Sequence, residues 1–139
     1  MTWWMFAFAS ALAASATAIF AKIGIQGVPS NLATALRTAV VLIFAWAIVF
    51  ATGEHTVIRS LKGRSLLFLA LSGVGTGVSW LCYFRALQMA PASRVAPIDK
   101  ASLGFTILLA ALVLGESISW RVAGGAALIV AGALLTLGG

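Results

Sequence analysis

Apolar residues run almost unbroken through this chain, and the polar ones collect in a few short stretches between the runs. A helix that crosses a bilayer needs about 20 mostly apolar residues. The punctuation divides the chain into five such runs, over residues 3–22, 31–52, 65–89, 94–115 and 120–138. The first ends at Lys22, before the glycine- and proline-bearing break GIQGVPS at 24–30. Ser30 or Asn31 is the expected N-cap of the second helix, because a short side-chain oxygen there accepts an orphan backbone N–H. The stretch 53–64, with Glu54, His55, Arg59, Lys62 and Arg64, reads as a loop. Pro91 stops the third helix, since proline cannot continue one. Pro97 is expected in the first turn of the fourth, where a missing N–H does no harm. GESIS at 115–119 reads as a tight turn with Ser119 as the next N-cap.

These runs are too long and too unalternating for barrel strands. Only helices and closed barrels satisfy the backbone in hydrocarbon. The expectation is therefore an all-α membrane protein, a five-transmembrane-helix bundle forming a single domain over residues 1–139 with the lipid bilayer as its solvent. Composition agrees: 62% of residues are hydrophobic and 9% charged, against about 25% charged in ordinary soluble domains. The start, MTWW leading into Ala14, Ser15 and Ala16, superficially resembles a signal-peptidase site. A positively charged leading region is missing and further spans follow, so an uncleaved first membrane helix is the better reading. Trp3 and Trp4 suit the aromatic belt at a membrane surface. Small residues four apart (Ser10, Ala14, Ala18; Gly73, Gly77; Ala123, Ala127, Ala131) either form packing seams between helices or reflect an alanine-rich composition.

The net charge of +6 comes from nine basic residues dispersed singly. They make no stripe of the kind that tracks a phosphate backbone, which excludes a nucleic-acid partner. One cysteine, Cys82, and one histidine, His55, stand in different segments, so neither an intrachain disulfide nor a metal site is expected.

Charge in the apolar runs is the more informative feature. Arg85, Arg94, Asp99 and Lys100 surround Pro91 and Pro97. A charged side chain near a bilayer centre costs roughly 2.5–3.5 kcal/mol even on lenient insertion scales, and such residues are kept where they pair or line a polar pathway. Arg85 precedes the hairpin tip at 90–92 by about as much as Asp99 follows it, so both lie roughly 10 Å down their helices. Aspartate is too short to reach the headgroups, and a pair with Arg85 is the expectation. Lys100 shares that depth on another face, while Arg94 and Lys22 are read as reaching the headgroup layer with long stems. Arg37, two turns into the second helix, fits either description. Ser72, Thr76, Ser79 and Tyr83 fall at i, i+4, i+7 and i+11 on one face of the third helix, with Trp80 beside them. The bland alternative is that such hydroxyls bond back to their own helix. The candidate pathway is thus Arg85, Asp99, Lys100, Tyr83, Trp80, Ser79, Thr76 and Arg37, a lining for a small polar or amphipathic solute. No Ser-His-Asp set, phosphate-cradling glycine loop or paired carboxylates occur, so the chain reads as neither an enzyme nor a cofactor carrier.

Several segments together resemble one repeat of the EamA domain of the drug/metabolite transporter (DMT) superfamily. They are AKIG at 21–24, NLATALR at 31–37, YFRAL at 83–87, ASRVAPIDK at 92–100 and LVLGE at 112–116 before a glycine-rich last helix. The resemblance implies a secondary transporter in a bacterial inner membrane that exports small metabolites or drug-like solutes. Members of that superfamily usually carry two such repeats in inverted orientation, ten helices in all, whereas this chain holds one. It therefore implies a homodimer working by alternating access, or a heterodimer with a similar subunit. Two copies of a five-span chain mimic inverted repeats only if they insert with opposite orientation. Dual insertion requires little Lys/Arg bias between the two sides. Arg59, Lys62, Arg64 and Arg121 fall on one side, against Lys22, Arg37, Arg85, Arg94 and Lys100 on the other, four to five. Leaving out Arg37, Arg85 and Lys100 as embedded makes it four to two, which favours a cytoplasmic N-terminus. Two other readings stay open: half of a lipid flippase that needs a partner subunit, and a non-transporting scaffold whose charges only fix helix packing.

Overall fold

The structure, a computed structural model, describes residues 2–138; Met1 and Gly139, the ends of the single domain expected over 1–139, lie outside the described residues. It is helical throughout, in the order α1 (Trp3–Gly24), α2 (Ser30–Thr52), a 3₁₀ segment (Glu54–Ser60), α3 (Gly63–Met89), α4 (Ala92–Lys100), α5 (Ser102–Leu114) and α6 (Trp120–Leu135). Four stretches are long and apolar enough to cross a membrane: Trp3–Gly24, Ser30–Thr52, Gly63–Met89 and Ala92–Leu114, the last combining α4 and α5. The fifth expected span is α6, with 16 residues. At 1.5 Å per residue it is about 24 Å long, short of the roughly 30 Å of hydrocarbon.

Large apolar side chains face outward: Trp3, Trp120 and Leu135 are each at least 80% exposed. That is the inverse of a soluble core, and it is what a chain dissolved in lipid presents. Buried apolar residues are few among those described: Ile25, Phe84, Leu87, Val95 and Ala133.

Helix ends follow from particular residues. Gly53 ends α2 with φ +75°, and its N–H returns to the carbonyls of Phe50 and Val49. Gly115 does the same for α5 at φ +69°. A side chain with a Cβ resists that left-handed conformation, which is why glycine stands there. Ser119 caps α6 as expected, its hydroxyl accepting from the Val122 N–H at 3.3 Å.

Three local expectations are corrected. The N-cap of α2 is Pro29, with Ser30 already helical; its fixed φ near −56° sets the chain up for the turn that follows. Most of the stretch 53–64 is wound rather than open: Glu54–Ser60 form the 3₁₀ segment, and Gly63 and Arg64 already begin α3. Pro97 lies beyond the first turn of α4, because Pro91, at the N-cap, starts the helix at Ala92. A proline there cannot donate to the carbonyl four residues back. The helix breaks at Ala101, whose N–H bonds to the Ile98 carbonyl at 3.0 Å before α5 resumes.

The chain divides into two compact units. One comprises residues 1–22 and 89–139, and so holds α1 and α4 to α6; the other is Ile23–Gln88, with α2, the 3₁₀ segment and α3. In the first unit, α6 packs against both α4 and α5. Its inward face is Ala123, Ala126, Val130 and Ala133, spaced 3, 4 and 3 as one side of an α-helix requires. Ala127 and Ala131 of the expected seam stay exposed. The close approach is made by Gly104 instead, where a Cβ would lie 2.9 Å from Val130 Cγ2. Gly73 and Gly77 on α3 have open space around them.

Candidate functional site

The expected pathway residues fall into both units. In Ile23–Gln88, Arg37 projects from α2 onto the ring faces of α3. Its guanidinium carbon is 4.2 Å from the Trp80 ring centroid and 5.4 Å from that of Phe84. Trp80 and Phe84 are four residues apart, so they lie one above the other on the same helix face. Tyr83 meets Phe84 edge-on, with ring centroids 6.4 Å apart. Thr76 and Ser79 lie on this broad face one turn earlier. The Thr76 hydroxyl donates to the Ser72 carbonyl at 2.9 Å, the bland behaviour expected of a membrane hydroxyl.

Arg85 points along a neighbouring face. It donates to Gln88 Oε1 at 3.3 Å, and Gln88 Nε2 donates to the Val28 carbonyl at 2.7 Å. Gln88 therefore orients Arg85 and ties the end of α3 to the turn before α2. Sequence reasoning passed over it, although a glutamine three residues after an embedded arginine is a legible signal.

In the other unit, Asp99 and Lys100 sit at the break between α4 and α5. Their side chains pair at 3.3 Å and are 36% and 55% exposed. Arg85 and Asp99, the expected pair, thus belong to different units and each has a partner inside its own. Lys22 donates to the Ala90 carbonyl at 2.9 Å. That carbonyl lies just past the end of α3, where the helix leaves acceptors without intrahelical donors.

Chemically, the arrangement offers one ring-backed cation, Arg37, together with hydroxyls. Among the described residues, no three of His, Cys, Asp and Glu come together as a metal site. Such a set of groups can bind and orient a solute.

The sequence matches the EamA-like transporter family over residues 1–138. The chain belongs to that family. A protein of Sinorhizobium sp. named as an uncharacterized transporter in the cobO 3′ region is 47% identical over 134 residues, covering 96% of this chain and 95% of that protein. No solved structure matches. Membership and the relative's name point to a membrane transporter rather than an enzyme, with a bilayer around it and a small molecule as its substrate.

Proposed function

We propose that this EamA-family chain is a secondary transporter that exports small metabolites or drug-like solutes across a bacterial inner membrane, two copies acting together by alternating access. The observation that carries the reading is the family match along nearly the whole chain. A relative matched over 95% of its own length is named as a transporter, which supports the transport reading. The fifth span is α6, extended by the residues that follow it and accommodated by local thinning of the bilayer.

In this reading Arg37, Thr76, Ser79, Trp80, Tyr83 and Arg85 of the Ile23–Gln88 unit contact the solute, and Asp99 and Lys100 of the other unit serve the coupling step. Ala101, between α4 and α5, keeps right-handed helical angles (φ −61°, ψ −20°), so Asp99 and Lys100 stand at a tightened turn within one spanning stretch, Ala92–Leu114. In the transport cycle Asp99 carries the coupling proton, exchanging Lys100 for a proton as that turn opens.

The test is efflux from proteoliposomes loaded with an isotope-labelled mixture of small metabolites. Release of particular compounds, driven by a pH gradient and absent from protein-free vesicles, is the expected result. Asp99→Asn should leave the protein inserted while uncoupling efflux from the gradient. Full coupling in that variant would remove Asp99 from the mechanism, and no release at all would remove the transporter reading.

A further inference from the structure

The unit Ile23–Gln88 contains five basic residues (Arg37, Arg59, Lys62, Arg64 and Arg85) and one carboxylate, Glu54. Arg59, Lys62 and Arg64 lie in or beside the polar connection between α2 and α3, where water balances their charge. Arg37 is different. It is the eighth residue of α2, which begins at Ser30, and so lies roughly 10 Å along a spanning helix. Glu54 follows the opposite end of that helix, roughly 25 Å away along the axis. No carboxylate of its own unit faces this guanidinium.

What faces it is aromatic. The Trp80 and Phe84 rings stand 4.2 and 5.4 Å from its central carbon. Ring faces attract a cation but accept no hydrogen bond of ordinary strength from its edge. Guanidinium is planar, keeps its charge in proteins and presents five N–H donors as a fork matched to a carboxylate. Contact with the rings holds the charge at mid-face, and the N–H donors that the nearby Tyr83 phenol leaves over can take an anion beside an apolar wall. Binding sites for small organic molecules combine these two elements.

We propose that Arg37 and Trp80, backed by the buried Phe84 ring, form the recognition site for an organic carboxylate, whose anionic end is taken by the Arg37 fork and whose apolar or planar body lies along Trp80. The assignment names a substrate class for the transporter reading and rests on it for its physiological meaning, though not for its binding chemistry. Depth favours a small solute over a lipid phosphate. Trp80 lies nine residues before the end of α3 at Met89, about 13.5 Å from it, deeper than the headgroup layer.

The experiment uses the full chain, labelled with 5-fluorotryptophan, in zwitterionic detergent. The Trp80 fluorine signal is assigned by its loss in Trp80→Phe. Benzoate is titrated against benzamide, its uncharged analogue of nearly the same shape. The expected result is a saturable Trp80 shift with benzoate and at least tenfold weaker binding of benzamide. Arg37→Gln should weaken benzoate at least tenfold, with Arg37→Lys in between. Equal responses to the two probes, or none to benzoate, would overturn the assignment from the wild-type protein alone, whether or not the variants fold. A shift produced only by added phosphatidylglycerol, with benzoate inert, would overturn it in favour of a lipid headgroup. Benzoate binding together with an absence of efflux from loaded vesicles would leave this site standing and remove the transporter reading instead.

Discussion

Gly104 is where the packing of the α4–α6 unit is tightest, and substituting it by alanine gives a measurable consequence. The added Cβ would lie 2.9 Å from Val130 Cγ2, whereas apolar carbons rest at about 3.5–4.0 Å. One of the two must retreat by more than half an ångström. Valine cannot do so cheaply, because its β-branch holds χ1 in one strongly preferred rotamer on a helix. Overpacking of this kind costs about 1–3 kcal/mol. Alanine returns up to about 1 kcal/mol of helix propensity in a helix interior, but Gly104 is in the first turn of α5 and gains less. The net expectation for Gly104→Ala is a loss of about 1–2 kcal/mol. Gly125→Ala supplies the control, since Gly125 lies inside α6 with nothing within 4 Å of its Cβ position, and it should stabilise slightly. The assay is unfolding of the purified protein in detergent for both variants, Val130→Ala and the Gly104→Ala/Val130→Ala double variant. Removing the valine methyls should make Gly104→Ala tolerable, giving a favourable coupling of about 1 kcal/mol or more. Identical behaviour of Gly104→Ala and Gly125→Ala, with no coupling to Val130, would refute the close approach of α5 and α6.

Ser119→Ala removes the cap of α6 and should cost about 1 kcal/mol, read as a lower thermal midpoint in the same detergent. Gln88→Ala strips the acceptor from Arg85 and the donor from the Val28 carbonyl; a loss of about 1–2 kcal/mol is expected from unfolding curves. Lys100→Met leaves the Asp99 carboxylate without its 3.3 Å partner in a stretch apolar enough to span the membrane, so a loss of stability is expected, read as an unfolding midpoint below that of the wild type.

Much of the helix punctuation was legible because single residues impose it. Gly53 and Gly115 adopt positive φ, Pro91 cannot continue α3, and Ser119 caps α6. The break at Ala101 was not, because the sequence marks it only through Pro97, whose effect depends on where α4 begins. The packed face of α6 was left open for a related reason. Alanines four apart exist on more than one face, and the choice is made by Gly104, a residue on another helix. At the candidate site the embedded charges were found, but their neighbours were harder to read. Arg37 was ambiguous between headgroups and cavity because its outcome depends on ring faces more than forty positions away. Phe84 was passed over although its spacing from Trp80 places the two rings together.

The proposal that two copies of this single repeat make one transporter is tested most directly by the orientation of the C-terminus in intact cells. Matched C-terminal reporter fusions, one active only inside the membrane and one only outside, read that orientation. Signal from both is predicted, as two oppositely inserted populations of a chain with nearly balanced basic residues require. Signal from one reporter alone would contradict an antiparallel homodimer and require a separate, oppositely oriented partner.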